Sequence, residues 1–328
     1  MHKTFSKGPN LYLGIPLDQN IIHLIKVLKF IPSYTIKRKL YKIYVFFVVI
    51  LFKILRVTKN NESLLEIDNI ISKNPILSKF KYIVVWSLVP NRKRCYIYFY
   101  DSNIKLVYFG KLSQNSNDFE LLSNEYDFLL NYRAQKPNTQ FQTPSVIYFN
   151  EVDDYSFLVV ESLPDDCKLF HPEKNDLSEQ VYNCLNSNKV THNLDKCYTQ
   201  NWWINFIVEK DKTIGLYNYI NSNKGDSKIG LSFIHGDLGS ENIFIDNMDH
   251  LYIIDWERLC KMGPHLTDRV AFWLGKNHNN DNNIVGFNVF FKQENKLDVA
   301  LALCYLVSAN FDLAIKISKS MFNDQNPV

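Results

Sequence analysis

The sequence predicts an α+β fold in which a β-rich region precedes a mainly helical one. Short runs rich in Val, Ile, Tyr and Phe occur between residues 81 and 161, and apolar residues at helical spacing dominate after residue 164. A third observation is a basic, apolar segment at the N-terminus. We therefore expect a basic, partly amphipathic helical extension over 1–75, a β-rich domain over 76–163 and a helical domain over 164–328.

Positive charge is concentrated near the N-terminus. The whole chain of 328 residues has a formal net charge of only +3, which gives no reason to expect nucleic acid as a partner. Residues 1–60, in contrast, contain eleven Lys and Arg against a single acid, Asp18, a local net charge of +10. Apolar spacing predicts helices over 20–31 and 36–56. Two interpretations stay open: these helices pack on the rest of the chain, or residues 20–57 contact an anionic membrane surface.

The same segment does not predict a membrane-spanning helix. Its apolar run, residues 43–52, gives a helix of roughly 15 Å, about half the hydrocarbon thickness of a bilayer. The first twenty residues lack the apolar stretch of a secretory signal, and the six cysteines form no C-x-x-C pair. We expect reduced thiols in a cytoplasmic protein, peripheral at the inner face of the membrane if the basic segment binds lipid.

The β-rich region is expected to contain five strands and one helix. The first turn, residues 87–94, has no glycine. For its basic end, Arg92-Lys93-Arg94, we expect a solvated hairpin tip, and contact with phosphates is the alternative. The predicted strands are 82–88, 94–100, 104–112, 144–149 and 156–161, and the predicted helix is 117–134.

The residues that indicate chemistry lie between 235 and 257. His235-Gly-Asp-Leu238 follows a short apolar strand, and Asn242 comes five positions after Asp237. A predicted hairpin then leads to Asp255, so that Asn242 and Asp255 can lie side by side. Phosphoryl transfer needs a carboxylate that orients the attacking hydroxyl and oxygen ligands for magnesium, and this spacing supplies both.

The segments His235–Asn242 and Ile254–Glu257, with Gly263–Asp268 downstream, resemble the aminoglycoside phosphotransferase family. That family is itself similar to choline kinases and bacterial envelope-sugar kinases. The resemblance covers about residues 80–320 and implies a two-lobed, protein-kinase-like fold. It also implies an ATP- and Mg²⁺-dependent phosphotransferase that acts on a hydroxyl of a small molecule.

The resemblance implies a role for each matching residue of the helical domain. Asp237 would be the catalytic base, and Asn242 and Asp255 would bind magnesium. Three further residues would support the catalytic loop: His235, Glu257 and Asp268.

The β-rich domain matches the family at its nucleotide-binding positions. Lys111 and Glu125 are at the spacing of the family's lysine–glutamate pair, with Lys105 as a second candidate for the lysine. Glu161 and Leu163 fall at the hinge between the lobes, where the backbone would meet the adenine of ATP.

Three functions of the region that resembles the family stay open at this point, and a fourth alternative is a scaffold that only docks on a membrane through its basic N-terminal segment. The preferred acceptor is a sugar or glycan, such as an envelope polysaccharide precursor, because the basic segment would place the protein at a membrane. One alternative is an aminoglycoside or choline-type kinase. Another is a nucleotide-binding pseudokinase or regulatory module, because residues 87–94 lack the family's glycine-rich phosphate loop.

Overall fold

The chain folds into two compact units. In a computed structural model, the first unit is formed by residues 1–130 and 144–163, and the second by 131–143 and 164–328. The structure describes residues 2–7, 10–16, 21–30, 40, 43–44, 47, 62–87, 93–135, 141–170, 182, 189–223, 225, 227–277 and 283–322.

The described strands and helices are numbered in chain order. The strands are β1 (His2–Lys7), β2 (Asn10–Pro16), β3 (Lys81–Trp86), β4 (Arg94–Tyr100), β5 (Leu106–Ser113), β6 (Phe141–Gln142), β7 (Val146–Val152), β8 (Tyr155–Glu161), β9 (Lys168–Leu169), β10 (Val190–Asn193), β11 (Lys228–Ile234), β12 (Ile243–Ile245), β13 (Leu251–Ile253) and β14 (Cys260–Pro264). The helices are α1 (Ile21–Val27), α2 (Glu62–Ser72), α3 (Phe119–Gln135), α4 (Asn201–Glu209), α5 (Ile214–Ser222), α6 (Thr267–Asn277), α7 (Asn283–Phe290), α8 (Lys296–Ser308) and α9 (Asp312–Met321).

The first unit is centred on a seven-stranded antiparallel sheet of order β1-β2-β3-β4-β5-β8-β7. The five strands and the helix predicted for the β-rich region are confirmed within a few residues. Both faces of the sheet are covered. Helix α1 packs with alternate residues of β3 and β4 on one face, and α2 packs with the intervening residues on the other. This division follows from the two-residue period of a strand.

The N-terminal hairpin β1–β2 corrects one expectation. Residues 1–75 were predicted to form a helical extension, but residues 2–7 and 10–16 form strands, and Leu13 pairs with Val85 of β3. Leu13 and Ile15, two residues apart, both turn toward the buried face. The pairing joins residues about 70 positions apart, and a reading of helical spacing along the chain does not detect such a contact.

The predicted helix over 20–31 is confirmed as α1 and a 3-10 turn over Leu28–Phe30. The predicted helix over 36–56, together with the apolar run 43–52, lies outside the described residues apart from positions 40, 43, 44 and 47. Among the described residues, no helix is both long and apolar enough to cross a membrane.

The second unit is mainly helical and is organised around α8. Ten residues of α8 are buried, from Leu297 to Val307, and the helix packs against α4, α5, α6 and α9. A helix that is apolar all round occupies the centre of a core. Two small sheets, β10-β11-β14 and β6-β13-β12-β9, lie in the same unit. The predicted site residues of this unit, Asp237, Asn242 and Asp255, lie in segments that follow or join strands of these sheets.

Candidate active site

The loop that follows β11 depends on a glycine. Gly236 has φ +83°, a backbone conformation that residues other than glycine rarely adopt. A Cβ on Gly236 would lie 2.3 Å from the carbonyl oxygen of Arg258 and 2.6 Å from the hydroxyl of Tyr305. The backbone geometry therefore requires glycine between His235 and Asp237.

Asp268 anchors this loop. The residue lies in the first turn of α6 and is fully buried. Its Oδ2 accepts a hydrogen bond from the His235 N–H at 2.8 Å, and its Oδ1 accepts one from the Gly236 N–H at 2.9 Å. Burial raises the pKa of Asp268, while His235 and the two amide hydrogen bonds partly offset the rise. One side chain thus holds two consecutive residues of the loop.

The imidazole of His235 links the loop to the end of the β12–β13 hairpin. The Asp237 N–H donates to Nδ1 of His235 at 3.3 Å, so Nδ1 carries no proton. Nε2 therefore carries the proton and donates to the Ile254 carbonyl at 2.9 Å. The ring also packs on Trp256, with 4.5 Å between ring centroids. These contacts fix the orientation of the buried imidazole.

Asp237 is held by this arrangement in a partly buried position. Burial raises the pKa of its carboxyl group, and the nearby carboxylates of Asp255 and Glu241 add to the rise. Arg258 and His235 lower this pKa and partly offset the rise. A raised pKa makes the Asp237 carboxylate a stronger base than an ordinary aspartate.

Arg258 lies at the candidate site, although no sequence pattern predicted it. Its Nε lies 3.8 Å from Oδ2 of Asp237, and its carbonyl oxygen accepts a hydrogen bond from the Tyr305 hydroxyl at 3.0 Å. In the sequence, only its position directly after Asp255-Trp-Glu257 could have indicated that Arg258 belongs to the site.

Asn242 and Asp255 offer oxygen atoms suited to a magnesium ion. The Asn242 side-chain Nδ2 donates to the carbonyl of Asp237 at 2.8 Å, which assigns the amide orientation and leaves Oδ1 as the acceptor. The Asn242 carbonyl accepts the Ile254 N–H at 3.0 Å, so the residue before Asp255 lies next to Asn242. Asp255 has φ +67°, a left-handed conformation. A carboxylate and an amide oxygen are hard ligands that fit Mg²⁺.

Trp256 and Glu257 follow Asp255 in a buried 3-10 turn. The indole Nε1 of Trp256 donates to the Ile253 carbonyl at 3.0 Å, and the ring stacks on Phe141, which in turn stacks on Tyr132. Glu257 is 8% exposed, so this predicted supporting residue is part of the interior of the unit.

The first unit contains the expected lysine–glutamate pair. Nζ of Lys111 on β5 lies 2.6 Å from Oε2 of Glu125 on α3, and both side chains are buried. Lys105, the second candidate, is exposed in the turn before β5, where its N–H donates to Asp101. The geometry therefore favours Lys111.

Arg94 corrects another expectation. The basic turn predicted a solvated hairpin tip, but Arg94 is 1% exposed, and its Nε lies 3.2 Å from Oδ2 of Asp118. The physical reason is that Arg94 begins β4 opposite Ser113 of β5, where the Asp118 carboxylate balances its charge. Arg92 lies outside the described residues, and Lys93 is exposed.

The predicted hinge residues follow the end of β8. The Glu161 N–H donates to the Ser145 carbonyl at 2.8 Å, and the Ser145 hydroxyl donates to the Glu161 carboxylate. The Ser162 N–H donates to the Val107 carbonyl at 2.9 Å. Leu163 comes next and is the last residue of the first unit.

Comparison with known proteins gives matches of structure rather than of sequence. No family model and no curated relative matches the chain. An aminoglycoside-3'-phosphotransferase of type VIII is 11% identical, with 74% of this chain and 97% of that chain covered and a TM-score of 0.47. The choline kinase LicA from Streptococcus pneumoniae is 13% identical, with 81% and 94% covered and a TM-score of 0.46. The bifunctional kinase-methyltransferase WbdD is 17% identical, with 70% and 47% covered and a TM-score of 0.33.

The chain itself has the α+β fold class that the sequence predicts. An antiparallel sheet with a buried lysine–glutamate pair precedes a mainly helical unit with a His-Gly-Asp loop. The resemblance to small-molecule kinases is a resemblance of fold.

Proposed function

We propose that the protein is an ATP- and Mg²⁺-dependent phosphotransferase that phosphorylates a hydroxyl group of a small molecule. The observation that carries this proposal is the pair of hydrogen bonds that the Asp268 carboxylate accepts from the backbone N–H groups of His235 and Gly236. This anchor holds Asp237 in a fixed loop, with the Asn242 side chain bonded to its carbonyl. Such a loop is suited to orienting a reacting hydroxyl.

The second unit supplies the groups for the reacting atoms. Asp237 orients the acceptor hydroxyl and takes its proton, for which the raised pKa is favourable. Asn242 and Asp255 hold magnesium, which neutralises charge on the transferred phosphoryl group when it is bound. His235, Glu257 and Asp268 support the loop through their buried positions.

The first unit supplies the groups for the nucleotide. Lys111, oriented by Glu125 at 2.6 Å, binds the phosphates of ATP through its ammonium group. The backbone of Glu161 and Leu163 binds the adenine. The hydrogen bonds that the N–H groups of Glu161 and Ser162 donate to Ser145 and to Val107 of β5 support a defined backbone there.

The preferred acceptor class is a sugar or glycan, such as an envelope polysaccharide precursor, met at the inner face of the membrane. The net charge of +10 over residues 1–60 complements an anionic lipid surface. Leu40, Ile43, Tyr44 and Phe47 follow helical spacing, and each is more than half exposed. Apolar side chains within a basic segment suit contact with lipid head groups and acyl chains.

Flotation with vesicles tests the membrane contact. The full chain should float with anionic phospholipid vesicles and stay behind with neutral ones, and Phe47→Asp should weaken flotation. Val208→Asp, a change at an apolar residue of the second unit that is 77% exposed, is the matched control. Equal flotation with both vesicle types would remove the argument for a membrane-bound acceptor.

Magnesium-dependent ATP consumption against a panel of acceptors tests the activity. Turnover with sugars or glycans supports the proposed class, whereas turnover with aminoglycosides or choline favours the corresponding alternative. Binding of ATP without transfer to any acceptor, together with no hydrolysis, favours a pseudokinase. Asp255→Asn should raise the magnesium concentration needed for half-maximal activity, because it removes a charged ligand.

A further inference from the structure

The start of α3 is tied to the sheet by a buried ion pair. Arg94, the first residue of β4, is 1% exposed and lies 3.2 Å from the Asp118 carboxylate through its Nε. The Ser113 hydroxyl at the end of β5 donates to the same carboxylate oxygen at 3.1 Å. Asp118 ends the 3-10 turn that leads directly into α3. The helix is therefore anchored at its beginning to two strands.

The same face of β5 carries the Lys111–Glu125 pair. Lys111 and Ser113 are two residues apart on β5, so their side chains point to one face of the sheet. Glu125 follows Asp118 by seven residues, which is roughly 10 Å along a helix axis. Contacts at these two positions fix both the place and the rotation of α3 on β5.

The loop between β5 and α3 adds restraint from its own backbone. The Gln114 N–H donates to the Lys93 carbonyl at 2.9 Å, and the Asp118 N–H donates to the Asn115 carbonyl at 2.8 Å. Movement of Asp118 away from Arg94 would break these bonds or leave a buried guanidinium without its carboxylate, which is strongly unfavourable.

We propose that Arg94 and Asp118 are positioning residues that hold Glu125 against Lys111 and so fix the lysine that binds the nucleotide phosphates. The role in nucleotide binding rests on the proposed function. The restraint on α3 rests on the geometry alone, and the two parts are tested separately.

Amide hydrogen exchange of the full chain tests the restraint without any activity. In Asp118→Asn, residues 119–128 should exchange at least about tenfold faster, whereas α2 should keep its rate. Ser113→Ala, which removes only a hydroxyl, should give a smaller change of the same kind and serves if Asp118→Asn does not fold. Unchanged exchange over 119–128 in a folded variant overturns the proposal.

A double-mutant cycle tests the effect on the nucleotide. Asp118→Asn should lower kcat/KM for ATP about tenfold in the wild-type background, and less than about twofold in a Glu125→Gln background. Equal factors in the two backgrounds would mean that Asp118 does not act through Glu125, and would overturn the proposal.

Tyr82→Phe is the matched control for both measurements. It removes the hydrogen bond by which Tyr82 of β3 holds Asp68 of α2, and should leave kcat/KM for ATP and the exchange of α3 unchanged. If the wild-type protein neither binds nor uses ATP, the proposed function fails, while hydrogen exchange still decides whether Asp118 restrains α3.

Discussion

The carboxylate of Asp268 accepts hydrogen bonds from the backbone N–H groups of both His235 and Gly236, at 2.8 and 2.9 Å. The residues are more than thirty positions apart in the chain. A fully buried side chain therefore sets the backbone position of the loop that carries Asp237. This relationship makes the loop sensitive to a change at a residue that does not itself react.

We expect Asp268→Asn to destabilise the protein by about 1–3 kcal/mol, because an amide NH₂ would face a buried backbone donor and leave it without an acceptor. Turnover should fall as well, because the loop loses its anchor. Chemical denaturation and steady-state kinetics measure the two effects. Asp312→Asn, an exposed change in the first turn of α9, should alter stability by less than about 0.5 kcal/mol. Wild-type stability and turnover in Asp268→Asn would contradict the proposed anchoring.

Gly236→Ala should destabilise the protein by at least about 2 kcal/mol, because the residue has φ +83° and a Cβ would overlap the Arg258 carbonyl. Gly275→Ala is the matched control. That glycine lies in α6 with no atom within 4 Å of an added Cβ, and alanine favours the helix by up to about 1 kcal/mol. Thermal unfolding of both variants measures the contrast. Similar melting temperatures for the two would show that the loop conformation is wrong.

Replacing only one member of the Lys111–Glu125 pair should lower the free energy of unfolding more than replacing both. Lys111→Met or Glu125→Leu alone leaves a buried charge and should destabilise by about 3–5 kcal/mol. The double variant should be more stable than either single one. Urea denaturation of the four proteins gives the coupling energy, and additive effects would contradict a buried pair.

His265 should make stability depend on pH. Burial lowers the pKa of His265 from 6.5, and the charge of Lys189 adds to this, while Asp298 and Glu294 act in the opposite direction. The folded protein therefore binds the proton less readily than the unfolded chain. The contribution of His265 to the free energy of unfolding is therefore fully present above pH 6.5 and is lost as the pH falls below it. His265→Gln should flatten this decrease between pH 7 and 5, by up to about 1.4 kcal/mol for each pH unit. If the free energy of unfolding depends on pH equally in the wild type and in His265→Gln, the lowered pKa of His265 is contradicted.

Local patterns predicted much of the first unit and of the site. Strand β4 was predicted with its bounds, and the spacing of Asp237, Asn242 and Asp255 identified the loop and hairpin that bring them together. These features depend on side-chain periods of two and on turn residues close in the chain. Such features can therefore be predicted from residues that are close together in the chain.

Other features depend on partners far along the chain. Arg94 is buried with the Asp118 carboxylate beside its guanidinium, whereas the sequence shows only a basic turn. The hairpin β1–β2 joins the sheet through β2, in which Leu13 pairs with Val85 of β3. Arg258 lies near Asp237 and follows a backbone turn in which Asp255 has a positive φ. Neither long-range strand pairing nor a rare backbone conformation produces a periodic pattern in the sequence, so local patterns do not predict them.

Transfer of the γ-phosphoryl group of ATP to an acceptor, with Mg²⁺ present, tests the central claim most directly when wild type is compared with Asp237→Asn. Asp249→Asn, a change in the exposed turn between β12 and β13, is the control and should keep wild-type activity. We predict that Asp237→Asn folds normally and loses at least about 100-fold in kcat. Turnover by Asp237→Asn equal to that of the wild type would contradict the assignment of Asp237 as the catalytic base.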